Sequence, residues 1–281
     1  MAVITISRDI CSKGALVAEQ VAQELNYECI SRKILMEASD QFNIPEIQFA
    51  KAIHDGPSVF EKIFHGKEKY IAFFQSALLN HVKKNNVVYH GLGGQFFLKG
   101  IPNVLKTRVI MAMDARAEEK AREENISTTA ARRFLVNDDK ERHNWGMHVY
   151  GVNTGSNELY DLVLHLDHLT VSDCVSLICE TAQRNTFCAT PESQAHMADL
   201  ALAATVKAIL IAYHANLRVI SRNGRVIIHV NDLVDSPDRT KQKIQDLTAH
   251  IPGVESLSIH VKSNVIRSPF HNAPPSMRHS A

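Results

Sequence analysis

Short β-branched runs alternate with stretches of helical spacing along the first two thirds of this chain. Val3 to Ile6 is an apolar run that predicts a buried strand. A turn of small and polar residues, Ser7 to Gly14, leads into Ala15–Leu25, where Leu16, Val17, Val21, Ala22 and Leu25 share one helix face. From Arg32 to Asn85 the pattern is mostly helical, interrupted at Pro45 and at Asp55-Gly56-Pro57. Val87-Val88-Tyr89 predicts a second core strand ending at His90-Gly91, Thr107–Ala112 a third and Tyr160–Leu166 a fourth. Ser127 is placed to cap a helix that turns Ala130, Ala131, Phe134 and Leu135 inward. Thr170 and Asp173 form a T-x-x-D signal, close to a capping box, before Cys174–Ala182. Apolar strands separated by helices predict βαβ crossovers and a parallel sheet covered on both faces, expected to hold about five strands.

The pattern changes after Gln183. Residues 184–189 are polar and small, as in a linker, and Thr190-Pro191 then supplies an N-cap with proline at the first helical position. That helix runs to about His214. Leu217–Ser221 and Arg225–Asn231 alternate like strands around Asn223-Gly224, a type I′ hairpin signal. Ser236-Pro237 opens another helix, Pro252-Gly253 closes it, and Leu257, Ile259 and Val261 alternate in a last strand. Beyond Ser263, the prolines 269, 274 and 275 favour a disordered tail. The expected division is therefore an α/β domain at 1–183, a linker at 184–189, a small α-β-β-α-β domain at 190–263 and a tail at 264–281.

Composition narrows the function classes. Of 281 residues, 45% are hydrophobic and 22% charged, the balance of a folded globular protein. The net charge of +1 does not favour a broad basic surface, so nucleic acid is not among the expected partners. A phosphate pocket needs only a few Arg and Lys and stays open. The N-terminus lacks the features of a signal peptide, and the longest apolar stretch, Leu200–Ala212, is broken by Thr205 and Lys207. No transmembrane segment is expected, and the reading is cytoplasmic. Five cysteines without C-x-x-C spacing predict reduced, mostly buried thiols, and no histidine spacing predicts a metal site. Glu118 and Arg122 have i,i+4 ion-pair spacing.

Several blocks together carry a resemblance. The opening ITISRDICSKGALVAEQVAQEL resembles that of the cytidylate kinase-like family, relatives of the P-loop nucleoside-monophosphate kinases. The block NVVYHGLGGQFFLKGIPNVLKTRVIMAMDARAEEKARE resembles the family's strand–glycine turn–helix–strand unit. ISTTAARRFLVNDDKERHNW resembles its lid helix with a D-x-x-R element, here Asp139 and Arg142, and ELYDLVLHLDHLT its final strand. Separately, NLRVISRNGRVIIHVNDLVDSPDRTKQKIQDLTAHIPGVESLSIHVKS resembles a BON domain, which implies contact with a protein or lipid surface.

The resemblance implies a P-loop kinase-like parallel sheet flanked by helices, ATP with Mg²⁺ as cofactor, and phosphoryl transfer to a nucleotide. Carried onto this sequence, Arg8, Ser12, Lys13, Gly14 and Ala15 would surround the nucleotide phosphates. Gly91, Arg132 and Arg133 would lie by the acceptor, and Lys13 and Arg142 would be the catalytic clamps. The match to G-x-x-x-x-G-K-[ST] is incomplete. Gly14 stands at the lysine position, Leu16 at the hydroxyl position, and Cys11 and Lys13 replace glycines, which makes positive φ harder to reach. Gly91 is followed by Leu92 instead of the arginine that would fork a monophosphate. His165-Leu166 replaces Asn-Thr, and His165 reads as a strand-end residue rather than a base. Cys11, before a helix, is placed for a lowered pKa or is simply a substituted glycine. Asp9 is a candidate partner for Arg8, and Asp139 for Arg142. The expectation is a nucleotide-binding kinase relative with a degenerate phosphate loop and weak or absent transfer. Two alternatives stay open: an active ATP-dependent nucleotide or small-molecule kinase, and a non-catalytic scaffold acting through the BON-like domain.

Overall fold

The computed structural model describes residues 2–31, 33–43, 67–91, 93–234 and 236–263. Pro45, Asp55-Gly56-Pro57, Leu92 and the tail 264–281 lie outside them. The first part runs β1 (Val3–Arg8), α1 (Gly14–Leu25), β2 (Glu28–Ile30), α2 (Lys33–Phe42), α3 (Lys67–Val82), β3 (Val87–His90), α4 (Gly94–Phe97) and β4 (Val104–Ile110). It continues through α5 (Met113–Glu124), α6 (Thr128–Tyr150), β5 (Leu162–His165) and α7 (Val171–Ala182).

These strands form one five-stranded sheet in the order β2-β3-β1-β4-β5, parallel throughout. β1 is central, and its unbroken apolar run follows from burial on both sides. Ile4 and Ile6 pack with Val17 and Val21 of α1 and Ile178 of α7. Val3 turns to the opposite layer, where Ile34, Phe73 and Leu78 of α2 and α3 cover the sheet. The Thr170 signal holds: its Oγ1 accepts from Asp173 N at 3.1 Å, and Asp173 Oδ2 accepts from Thr170 N at 2.8 Å.

Four details differ from the sequence reading. β2 is not legible because it is three residues long and begins at a half-exposed glutamate. β4 starts at Val104 rather than Thr107, since Val104 and Leu105 are both buried and Lys106 only interrupts the run. In α6 only Ala131 and Leu135 turn inward; Ala130 is exposed, and Phe134, also exposed, carries Lys120 Nζ 3.7 Å above its ring. Arg122 pairs with Glu119 at 2.9 Å, one turn position short of Glu118.

The C-terminal part comprises α8 (Pro191–Leu210), β6 (Leu217–Arg222), β7 (Arg225–Val234), α9 (Pro237–Thr248) and β8 (Ser256–Ser263). Its sheet has the order β6-β7-β8, antiparallel across the hairpin and parallel between β7 and β8. Asn223 (φ 48°) and Gly224 (φ 75°) both lie in the left-handed region, as a type I′ turn requires. Thr190 and Ser193 complete a capping box at the start of α8, with Pro191 inside it.

Helix α8 has two buried faces. Met197, Ala201, Ala204 and Ala208 join the core that covers the large sheet, while Val206 and Leu210 join that of the small sheet. Asn80 of α3 donates to Thr205 Oγ1 at 2.8 Å across the first contact. Between the parts, Asn185–Phe187 forms a short 3₁₀ turn, and Phe187 packs against the large sheet's core. The cysteines are all unpaired; Cys174 and Cys179 are buried, Cys11 and Cys29 half-buried, and Cys188 exposed. Among the described residues no helix is long and apolar enough to cross a membrane.

Candidate phosphate site

The chain leaves β1 toward β2 and leaves β4 toward β5, so the direction of connection reverses between β1 and its neighbour β4. In an open parallel sheet this opens a crevice beyond the strands' carboxyl ends. Three pieces meet there: the loop after β1, the end of β3, and the middle of α6.

The loop keeps a strained backbone despite its missing glycines. Cys11 and Lys13 adopt φ of 56° and 55°, so the loop reaches positive φ there at the steric cost expected of residues other than glycine. A residue with a Cβ costs about 1–2 kcal/mol in that region, and tertiary contacts hold it there. Ser12 Oγ donates to the Asp9 carbonyl at 2.7 Å, and Ile10 and Cys11 pack on Ala117, Ala131 and Leu135 of the α5–α6 pair. Burial, followed by the negative charge of Glu123, pushes the Cys11 thiol above its usual pKa, the reverse of a dipole-activated thiol. Lys13 is the N-cap of α1, and no side chain caps this end, which leaves the first-turn N–H groups for an anion.

Arg8 occupies the space at the helix start. A Cβ added at Gly14 would lie 2.7 Å from Arg8 Cβ and 3.1 Å from Arg8 Cδ, so the arginine stem crosses directly over Gly14. A lysine at position 14 and Arg8 as placed exclude each other. The cation at the helix start therefore comes from the end of β1.

Among the described residues no carboxylate pairs directly with Arg8, although the charges of Asp138 and Glu19 reach it from further away. Its Nε is buried without a hydrogen-bond partner, and among the described residues it forms no ion pair. Asp9, its candidate partner, instead faces Arg108 Nη2 at 3.4 Å. Burial first, and the charge of Arg142 second, hold the Arg8 guanidinium below its ordinary pKa. Arg142 reaches the Arg8 carbonyl from Nη1 at 3.4 Å, and its Nε donates to Asp138 Oδ2 at 2.6 Å. The partner of Arg142 is therefore Asp138, not Asp139, because i,i+4 spacing brings the two together on one helix face. Asp139 accepts from Arg116 at 2.7 and 3.1 Å. His90, at the end of β3, is 8% exposed with Nδ1 unpartnered. Burial and the nearby Arg8 charge push it down to about 4, so it is neutral near pH 7.

A second network braces the site from the β4 side. Arg108 Nη1 donates to the Thr154 carbonyl at 3.2 Å and its guanidinium lies 5.8 Å from the Tyr160 ring centre. The Tyr160 hydroxyl reaches the Thr154 carbonyl at 2.8 Å and Ser7 Oγ at 3.2 Å, and accepts from Gln95 Nε2 at 3.2 Å. Burial raises the Asp9 carboxyl above its usual range in spite of Arg116 and Arg108.

The structure thus gathers Arg8, Ser12, Gly14, Ala15 and Arg142 at one crevice and leaves other predicted residues outside it. Lys13 is exposed, with Glu119 at 3.9 Å. Arg132 pairs with Asp114 at 2.5 Å on an exposed surface, and Arg133 is exposed beside it. Gly91 has a local reason: a Cβ there would meet the Tyr89 hydroxyl at 2.5 Å. His165 is exposed and pairs with Asp167 at 3.0 Å. Arg108 and Asp138 escaped the sequence reading. A second charged residue near the carboxyl end of β4, after Lys106, was the available signal for Arg108.

The parallel sheet with its strand–loop–helix opening defines a P-loop kinase fold. The chain belongs to the cytidylate kinase-like family, whose sequence profile matches residues 3–168. The cytidylate kinase of Pyrobaculum aerophilum is 22% identical over 178 residues, covering 63% of this chain and 90% of that protein. The crystal structure of an uncharacterized protein from Eubacterium ventriosum superposes with a TM-score of 0.50 at 18% identity, covering 66% of this chain and all of the other. Shikimate kinase from Bacteroides thetaiotaomicron gives a TM-score of 0.41 at 10% identity over 65% of this chain.

Proposed function

We propose that this protein binds a nucleotide through its phosphates and transfers a phosphoryl group weakly or not at all. One observation carries the reading: Arg8, which forms no ion pair among the described residues, lies across the uncapped start of α1 with Arg142 beside it. Asp138 pairs with Arg142 and leaves Arg8 without an ion pair, and the free donors of Arg8 suit a phosphate oxygen. Asp138 orients Arg142, and neutral His90 adds no charge of its own.

Transfer needs more than an anion site. Stabilising the charge that spreads over a transferring phosphoryl group takes a metal ion and several clamps acting together. ATP brings the phosphates, and Arg8, Arg142 and the α1 N–H groups would hold them. A Mg²⁺ ion finds a poorer fit, because exposed Leu16 stands at the hydroxyl position. Among the described residues no group of three His, Cys, Asp or Glu side chains could hold a metal.

Residues 190–263 act in this proposal as a BON-like interaction module in a cytoplasmic protein, supported by their α-β-β-α-β order. Isothermal calorimetry with ATP, GTP, CTP and CMP, each with and without Mg²⁺, tests the nucleotide reading. A charge-assisted bond is worth about 1.5–3 kcal/mol, so Arg8→Ala should weaken binding roughly ten- to a hundredfold. Thermal melts of the variant control for folding. Binding that ignores Arg8, or brisk Mg²⁺-dependent turnover, would overturn it.

A further inference from the structure

Among the described residues the small sheet is covered on one side only. Val226, Ile228 and Val230 of β7 face α8 and α9, so the alternate residues of all three strands point away from the core. Those outward positions hold Arg218, Arg222, Arg225 and Lys262, all exposed, together with His229 and His260. The strands carry no Asp or Glu from Leu217 to Arg222, from Arg225 to Asn231, or from Ser256 to Ser263. Among the described residues none of the four cations enters an ion pair.

Register turns this composition into a pattern. Arg218, His229 and His260 form one row across the three strands, and Arg222, Arg225 and Ser256 another. Between them sit Ile220 and Ile227, directly paired and half-buried. The rings of His229 and His260 stack with centres 4.8 Å apart at 15°. A chain of net charge +1 therefore places four exposed cations, none in an ion pair among the described residues, on one face of this sheet.

We propose that this face docks single-stranded nucleic acid. Phosphates complement the cations, and bases stack on imidazole rings and guanidinium planes. Arg218 and Arg222 are separated by about 13 Å along the strand, a span that a few nucleotides cover. A lipid surface fits less well: Ile220 and Ile227 are half-buried, and among the described outward positions no apolar side chain is exposed to enter a bilayer.

Fluorescence anisotropy of the full chain with a labelled oligothymidine of roughly fifteen nucleotides, titrated at several salt concentrations, tests this. Four phosphate contacts on a single strand predict a slope of log affinity against log salt of roughly −3. Arg222→Ala with Arg225→Ala should weaken binding at least about tenfold and flatten the slope by about 1.4. Lysines at both positions should restore the slope, and His229→Ala should lower affinity while leaving it unchanged. Arg222 and Arg225 are exposed and form no ion pair among the described residues, so thermal melts of that double variant should not move, and melts of His229→Ala control for loss of the His260 stack. Three results would each overturn the proposal. One is no oligonucleotide binding at low salt; another is binding lost in Arg8→Ala but not in the face variants. The third is binding to phosphatidylserine vesicles without binding to the oligonucleotide.

Discussion

Asp199 ties helix α8 to the hairpin turn, and replacing it isolates that connection. Its carboxylate accepts from Ser221 Oγ at 2.6 Å, Asn223 N at 2.7 Å and Gly224 N at 3.2 Å. Ser221 is only 9% exposed, so its hydroxyl loses a sheltered, charged acceptor in Asp199→Ala. The N–H of exposed Asn223 regains water. A sheltered bond to a charged group contributes about 1.5–3 kcal/mol and solvated ones less, so the loss should be about 2–3 kcal/mol. Asp199→Asn keeps one acceptor oxygen and should lose about half as much. The pH dependence has a definite sign. Burial alone would raise the Asp199 carboxyl, but the bonds from Ser221, Asn223 and Gly224 reverse this and leave it below its usual value. A depressed folded pKa contributes stability above the unfolded value, about 3.9, that is lost as pH falls through the folded one. Urea unfolding of the whole chain should therefore show the full gap between parent and Asp199→Ala near neutral pH, and a narrower one at about pH 3. A shift below about 0.5 kcal/mol at neutral pH, within the range of an ordinary surface change, would refute the argument. So would a gap that pH leaves untouched.

Gly224→Val combines a positive φ with a Cβ 2.9 Å from the Gly253 carbonyl oxygen, and should cost about 2–4 kcal/mol in the same urea assay. Gly224→Asn should cost clearly less, and equal losses for the two would contradict the backbone explanation. Lys13→Ala should change stability by under about 0.5 kcal/mol and ATP affinity by under about threefold; a hundredfold loss would return the phosphate to that lysine. Cys11, with its thiol pushed up by burial, should alkylate more slowly than exposed Cys188 when peptides are followed by mass. Faster reaction at Cys11 would mean the loop opens in solution.

Much of this fold is legible because local signals agree with it. The apolar run of β1, the Thr170 and Thr190 caps and the Asn223-Gly224 turn each specify their geometry within a few residues. Contacts decided over long sequence distance are not legible in that way. Arg142 and Arg8 are far apart in the chain, and nothing local says that Asp138 rather than Asp139 will face the arginine. The Arg8–Gly14 exclusion reads, in sequence, only as a lost lysine. Net charge concealed the basic sheet face for a different reason, since a sum over the chain discards the alternation that sends cations to one side of three strands.

Helix α8 constrains the protein in a way that neither sheet does alone. A helix packed on one side tolerates a change of length, because it can slide or rotate while its outer face stays in water. α8 has no such freedom over Met197–Leu210, where small residues meet α3 and branched ones meet the hairpin sheet. Inserting a single residue turns the remainder of the helix by about 100°, which withdraws the matching face from both cores together. The Met197–Ala208 contact with α3 is separate from the covalent connection at residues 184–189. The two sheets are thus fastened by packing as well as by the peptide chain, and the permitted length of one helix is set by both.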